Sequence, residues 1–140
     1  MRASDVRSAI ITVVEAATVD TQAGPRDKFV HVDTGGRELE AAPDRVFRCV
    51  LTQPPRRTAV FTLDAYEVEY TVDIHYALGK QVEDRIAQDA EQVVFDLTSL
   101  NAQHQDLMNS SVQSGSVFDL DQLLVCRIPV LCTYRLTGVS

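Results

Sequence analysis

The sequence has no long apolar run. A membrane-spanning helix needs about 18 or more consecutive apolar residues, and no stretch of the chain approaches that length. The opening residues Met-Arg-Ala-Ser-Asp also lack the basic, then apolar, then small order of a secretory signal. These absences predict that the protein has no membrane partner and is made and kept in the cytoplasm.

Cysteine is scarce and shows no pairing pattern. The three cysteines, Cys49, Cys126 and Cys132, form an odd set without a CxxC pair. Each lies in an apolar run of strand character, where a thiol behaves as a small hydrophobic side chain. The pattern predicts buried free thiols and argues against metal or redox use.

Basic side chains are in deficit. The chain has 13 Lys and Arg against 20 Asp and Glu, which gives a formal net charge of -7 at pH 7. A nucleic-acid groove or a surface for anionic lipids requires a basic footprint, which this composition does not supply. With 140 residues, of which 45% are hydrophobic and 24% charged, the chain is expected to fold as a single domain over residues 1–140.

The common enzyme motifs are missing too. The sequence contains no GxxxxGK(S/T), GxGxxG, GxSxG or HExxH motif, which argues against the usual phosphate, nucleophile and zinc sites. Asp73 and His75 share a strand face with Glu67 and Glu69, and such side chains are able to bind a metal or transfer protons. On one strand, however, they stand in a row about 7 Å apart instead of converging. We therefore predict a polar surface, with no catalytic residue, metal or cofactor.

The most regular pattern is an alternation over residues 66–78. Apolar side chains alternate there with mostly polar ones at a period of two, which predicts a strand with one buried and one acidic face. A strand of this length would span about 43 Å at about 3.3 Å per residue, beyond the usual ~3–10 residues. We expect it to bend or to overshoot its neighbours.

The chain before this strand predicts a helix and a long loop. Apolar residues at spacings of three and four over 4–19 predict a helix capped by Ser4. Residues 20–44 combine glycine, proline and many charges, which predicts a long loop with a short strand at 29–32. Because loops of more than ~12–15 residues are often functional, this loop is a contact candidate.

Two shorter strands are predicted between the loop and the long strand. They cover residues 46–52 and 58–63 and are separated by a turn that Pro54 and Pro55 impose. The apolar phase then shifts by one at residues 64 and 65. A β-bulge and a tight hairpin both account for the shift, and both interpretations stay open.

The second half of the chain predicts a helix, a connector and a strand. An apolar stripe from Val82 to Leu100 predicts a second amphipathic helix, and the polar residues 101–116 predict a connector with at most one helical turn. Residues 124–136 alternate again and predict a second long strand, with residues 117–119 pairing to its start through an Asp-rich turn.

The order of these elements predicts an α+β fold. We expect a mixed or antiparallel sheet of four to five strands with two helices packed on one face, in the order helix, three strands, helix, strand. The opposite face of the sheet is expected to remain polar.

Charged residues on that outer face are candidates for subunit contacts. Acidic side chains of one subunit would complement arginines of a neighbour in a cyclic heterologous assembly. Alternatively, the same residues pair as cross-strand neighbours within one sheet, and both interpretations stay open. The interface candidates, with the two arginines after the prolines included, are Glu67, Glu69, Asp73, His75, Arg127, Arg135, Arg56 and Arg57.

Most of the chain resembles a known family in the order and texture of its segments. The resembling pieces are the helix over 4–19, the strand over 46–52, and the segments AYEVEYTVDIHYAL, DRIAQDAEQVVFDL and LMNSSVQSGSVFDLDQLLVCRIPVLCTYRL. In these features the chain is similar to the tail terminator, or tail completion, proteins of long-tailed bacteriophages.

The resemblance implies a structural virion protein rather than an enzyme. It implies a homohexameric ring that caps the tail tube, ends polymerisation of the tube protein and presents a surface to the head connector or completion protein. DNA would pass through the lumen without specific binding, and the protein would lie at the head-proximal end of the tail after assembly in the host cytoplasm. Alternatives are a head-tail joining or head-completion protein, and a small α+β ligand-binding or hydrolytic domain using Asp73 and His75.

Overall fold

Two helices and one sheet make up the described part of the chain. The computed structural model describes residues 1–17, 28–32, 44–60 and 63–138, with the backbone alone for residues 59, 60, 63 and 64. The helices are α1 (Ala3–Glu15) and α2 (Val82–Thr98), followed by a 3-10 turn at Leu100–Gln103. The strands are β1 (Val30–His31), β2 (Val46–Val60), β3 (Leu63–Ala77), β4 (Leu107–Val112), β5 (Ser116–Leu120) and β6 (Leu123–Tyr134).

The strands form one mixed sheet. Its order is β1-β2-β3-β6-β4, and β5 also pairs with β6. The β1–β2 pair is parallel, and every other pair is antiparallel. The predicted α+β class is confirmed, with six strands in place of four to five. The two short strands β4 and β5 lie one after the other along the same side of β6.

The long predicted strand is β3, and it is central. It pairs with β2 over residues 63–75 and with β6 over residues 66–77. Both neighbours are long as well, so the expectation that β3 overshoots them is wrong. A strand that is paired on both sides has no free backbone to offer a partner. The open edge of this half of the sheet belongs to β2.

The turn predicted at Pro54 and Pro55 is wrong, because β2 continues through both prolines. Its register with β3 is irregular between Leu51 and Gln53 and again between Gln53 and Arg56, so extra residues bulge from β2. Among the described residues, β1 covers the outer edge of β2 only at Val46 and Phe47. The prolines therefore lie at a bulge on an edge, where a missing N–H donor is tolerated.

The phase shift at residues 64 and 65 follows a hairpin between β2 and β3, which lies slightly earlier in the chain than those residues. Ala59 pairs with Asp64 and Thr58 with Ala65, so both residues lie within β3. Val60 pairs with Leu63, which places the reversal of the chain between those two residues. The strand predicted over 58–63 is therefore divided between β2 and β3.

Both helices pack on one face of the sheet, as predicted. A single core cluster joins the apolar stripe of each helix to one face of the three long strands. Its helical members include Val6, Ile10, Val14, Ile86, Val93 and Leu97, and its strand members include Phe47, Val72, Ile74, Ile128 and Val130. The buried residues of β3, β6 and α2 are those of the apolar rows that the sequence pattern indicated.

The first helix is shorter than predicted and begins earlier. It ends at Glu15, and its N-cap is Arg2 in place of Ser4. The carboxylate of Asp5 accepts a hydrogen bond from the backbone N–H of Arg2 at 2.8 Å, which satisfies a donor at the helix start. Within the predicted loop over 20–44, the structure describes only residues 28–32 and 44. The short strand predicted at 29–32 is confirmed as β1.

The connector predicted over 101–116 holds a strand that hydropathy did not indicate. This strand, β4, buries Leu107 and Ser110. The hydroxyl of Ser110 donates to the carbonyl oxygen of Leu97 at 3.0 Å, so a polar side chain satisfies the end of α2. The predicted pairing of residues 117–119 with the last strand is confirmed, through a turn in which Asp121 and Gln122 both have positive φ.

The three cysteines are free and buried, as predicted. Burial raises the pKa of Cys49 to about 12, of Cys126 to about 11 and of Cys132 to about 12. Each thiol is therefore protonated at neutral pH and packs as an apolar group.

Gly115 permits a close approach between the β4–β5 turn and β6. A Cβ atom built on Gly115 would lie 2.3 Å from the carbonyl oxygen of Arg127, a backbone atom that cannot move alone. We expect Gly115→Ala to lower the free energy of unfolding by about 1–3 kcal/mol, as overpacking does elsewhere. Urea denaturation monitored by circular dichroism measures this loss.

Gly79→Ala is the matched control, since nothing lies within 4 Å of a Cβ atom at that position. It is expected to change stability by less than about 1 kcal/mol. Equal effects of the two substitutions would contradict the close contact at Gly115.

Candidate functional site

Asp73 and Arg127 pair within one sheet, which decides between the two interpretations of these residues. They are direct cross-strand neighbours, and the guanidinium donates to both carboxylate oxygens, from Nε at 2.9 Å and from Nη2 at 3.1 Å. The hydrogen bond to Asp73 raises the pKa of Arg127. The guanidinium also lies 4.8 Å from the ring centroid of Phe118 on β5. This pair therefore ties three strands together within one subunit.

Glu67 and Glu69 are also engaged within the sheet. Arg56 on β2 forms an ion pair with Glu67, its cross-strand partner on β3. Glu69 accepts a hydrogen bond from the hydroxyl of Thr52 at 2.7 Å, and that hydroxyl is 3.0 Å from the hydroxyl of Thr71. The Arg56 side chain is 70% exposed, so its ion pair contributes only about 0–1 kcal/mol. Arg56 keeps its charge at the surface.

His75 is buried, so the prediction of a polar outer face is wrong for this part of the sheet. Thr71, Asp73 and His75 are each at most 3% exposed, and Val125 beside them is buried as well. His75 Nδ1 is 3.2 Å from the carbonyl oxygen of Val46. Burial lowers the pKa of His75, which leaves the imidazole neutral at neutral pH. Neither His75 nor Asp73 is available as a subunit surface.

The remaining candidates, Arg57 and Arg135, lie on the surface near the same end of the sheet but on opposite sides of β3. Arg57 is exposed on β2 opposite Tyr66. Arg135 is exposed just after β6, where its backbone N–H donates to the carbonyl oxygen of Asp106 at 2.8 Å. The eight predicted residues thus do not converge on a single site.

A buried cluster of ion pairs is the main feature that the sequence reading missed. The guanidinium of Arg45 donates to both oxygens of Asp89, at 2.8 and 2.9 Å, and the Tyr76 hydroxyl donates to Asp89 at 2.8 Å. Arg85 donates to Asp44 at 2.9 Å, and its guanidinium lies 5.5 Å from the ring centroid of Tyr76. We call these five residues the ion-pair cluster. It fixes the start of β2 to α2 and β3.

The electrostatics of the ion-pair cluster follow from its burial. Arg45 is fully buried, and burial alone would lower its pKa, but the hydrogen bond and charge of Asp89 outweigh that effect and raise it. Burial also raises the pKa of Tyr76. Arg45 adopts a φ of 53°, a left-handed conformation that the surrounding bonds must hold in place. The cluster is thus a rigid structural joint.

One signal in the sequence pointed to this cluster. Arg85 and Asp89 are four residues apart, so they lie on the same face of α2. The spacing from Ile86 to Asp89 to Val93 is three and then four residues, which places Asp89 in the buried stripe of α2. Charged residues at core positions of an amphipathic helix predict a buried ion pair.

An apolar groove lies between α2 and β5. It has a volume of about 400 Å³ and is lined by Glu83, Ile86, Val117, Phe118, Asp119 and Leu124. A second hollow of about 370 Å³ adjoins it at Val117 and continues between α2 and the β4–β5 turn. We call the two together the α2–β5 groove. Its walls are mostly apolar, whereas Glu83 and Asp119 make its outer end acidic.

The described residues hold no group of three or more His, Cys, Asp or Glu side chains placed to bind a metal ion. No helix in the described ranges is long and apolar enough to cross a bilayer. No protein-family model matches the chain, and no curated protein matches it. The functional proposal therefore depends on the resemblance noted in the sequence and on the geometry of the molecule.

Proposed function

We propose that this chain is a structural virion protein that caps a phage tail tube as a ring. The ring ends polymerisation of the tube and provides the surface that joins the head connector. The resemblance of the sequence to tail terminator proteins motivates the proposal, and the arrangement of the sheet supports it.

The observation that carries the proposal is the difference between the two lateral edges of the sheet. One edge is β2, whose residues 50–57 are all exposed. The other edge consists of β4 and β5 in series along β6, and its β5 part is bordered by the α2–β5 groove. Two unlike surfaces on opposite sides of a subunit suit a heterologous contact, which repeats from copy to copy and closes into a ring when the rotation permits.

Two further observations agree with the role of a structural ring protein. The polar side chains of β3 make bonds inside the sheet, and the ion-pair cluster locks a helix to it, so the subunit is built as a rigid block. The net charge of -7 would weaken binding of the protein to DNA that passes through the ring. Binding to DNA phosphates depends on arginines and lysines, which displace counterions. Rigidity and weak DNA contact are what a conduit requires.

The purified protein tests the proposal through its assembly state. Light scattering after size exclusion, together with negative-stain electron microscopy, is expected to show a closed ring with a central opening, six-fold if the family resemblance holds. Co-expression with the tail tube protein of the same genome is expected to give tubes that stop growing and carry the ring at one end. A monomer at every concentration, with tube growth unchanged, would contradict the proposal.

The same experiment distinguishes the nearest alternative. A head-tail joining protein would bind the portal complex of the same genome and leave the length distribution of the tubes unaltered. Binding to the end of the tube with loss of further growth supports the cap.

A further inference from the structure

The α2–β5 groove is an apolar surface with an acidic end. Val117 is 54% exposed at its wall, and Leu120 on the same strand is 42% exposed. Glu83, in the first turn of α2, and Asp119, on β5, carry the charge. An exposed apolar surface with a charged rim is typical of an interaction site.

The opposite edge of the sheet has the complementary character. Residues 50–57, which we call the β2 edge, contain the exposed apolar side chains of Val50 and Leu51 and the exposed basic residues Arg56 and Arg57. Pro54 and Pro55 stiffen the segment that joins Leu51 to Arg56, so less conformational entropy is lost when a partner orders this segment. Arg56 already pairs with Glu67 of the same subunit, but its side chain stays 70% exposed, so the β2 edge is an apolar segment whose end carries two exposed arginines.

These two surfaces are unable to meet within one subunit. They lie on opposite sides of the β3–β6 pair and at different levels along it, because the row of Leu51 ends at Val112 on β4, whereas β5 pairs with residues 123–127 of β6. Between two copies, each with a net charge of -7, most orientations are repulsive. An orientation that places arginines of one copy against acidic residues of the next avoids that repulsion and fixes the register.

We propose that the α2–β5 groove receives the β2 edge of a second copy of this chain. Val50 and Leu51 would cover apolar groove wall, while Arg56 and Arg57 would face Glu83 and Asp119. This inference rests on the ring proposed above and names the contact that closes it. Because donor edge and acceptor groove are on opposite sides of each subunit, every copy uses both.

Two charge-reversal variants test the contact. The first, Arg56→Glu with Arg57→Glu, gives the β2 edge the same sign as the groove. The second, Glu83→Lys with Asp119→Lys, gives the groove the same sign as the edge. Each variant alone is expected to weaken self-association at least about tenfold, because like charges then meet across the contact. Sedimentation equilibrium measures the change.

Mixing the two variants gives the decisive result. The reversed edge fits the reversed groove, and the native edge fits the native groove, so an equal mixture is expected to regain rings in which the two variants alternate. Recovery also shows that both variants are folded. Arg135→Glu, a reversal of an exposed arginine outside both surfaces, is the matched control and is expected to assemble as the native chain does.

The outcomes separate this inference from the proposed function. If the native chain forms rings and the two variants do so equally well, the edge-in-groove contact is overturned while the ring stands. If both variants are monomeric and folded by circular dichroism, yet their mixture stays monomeric, the contact is overturned too. If the native chain itself never assembles, the proposed ring fails.

Discussion

Asp89→Ala is expected to lower the free energy of unfolding by about 3–5 kcal/mol, the cost of removing one partner of a buried ion pair. Asp89 accepts bonds from Arg45 and from the hydroxyl of Tyr76, and all three side chains are buried. Without the carboxylate, a fully buried guanidinium and a buried hydroxyl both lose the bonds that Asp89 accepts. Urea denaturation followed by circular dichroism measures the loss.

Glu91→Ala is the control for this prediction. Glu91 lies on the same helix but is exposed, and a surface substitution of this kind usually changes stability by no more than about 0.5 kcal/mol. If Asp89→Ala were as mild as Glu91→Ala, the bonds from Arg45 and Tyr76 to Asp89 would contribute little, and the ion-pair cluster would not be the joint that the structure describes.

Phe47→Ala, as a separate single substitution, is expected to lower the free energy of unfolding by about 3–5 kcal/mol, because it leaves a cavity in the core. Phe47 is fully buried in the cluster that joins the sheet to both helices, and its ring centroid lies 5.2 Å from that of His31. Because β1 also pairs with β2 at Phe47, the cavity would open beneath the edge of the sheet. Thermal unfolding by calorimetry gives the size of the effect.

The same substitution at Phe95 provides a matched comparison. Phe95 is 70% exposed on α2, so truncation there removes little buried surface, and we expect a change in stability near zero. A loss at Phe95 as large as that at Phe47 would show that Phe95 is covered in solution, for example by another copy of the chain.

Much of the fold was predictable because its strongest patterns are periodic. The alternation along β3 and β6 and the stripe along α2 each indicate one buried face, and these three elements contain most of the core. Helix ends were less accurate, since α1 ends at Glu15 well before its apolar spacing ceases. Periodicity locates a buried face better than it locates the ends of an element.

The misses share a physical cause, which is tertiary contact overriding local preference. Pro54 and Pro55 indicate a turn locally, yet an edge strand tolerates them because no partner requires their N–H groups there. The strand β4 looked like a polar connector, yet Ser110 is buried because its hydroxyl bonds to a carbonyl of α2. In both cases the deciding contact depends on a distant part of the chain, so the sequence near these residues does not show it.

The candidate site was predictable only in part. Cross-strand pairing of Asp73 with Arg127 was one of two interpretations, and choosing between them required the register of β3 against β6. The ion-pair cluster was missed because charged side chains are usually exposed, and Asp44 and Arg45 are distant in sequence from α2. The α2–β5 groove arises from the packing of a helix against a late strand, which no local pattern encodes.

The central position of β3 also sets the order in which the chain must fold. Its pairing with β2 is local and is expected to form first, whereas β6 lies beyond α2, β4 and β5 in the sequence. During synthesis, the second edge of β3 therefore stays open until β6 has emerged. Its unpaired backbone is then able to pair with a strand of another molecule, so we expect aggregation of the incomplete chain to begin at this edge.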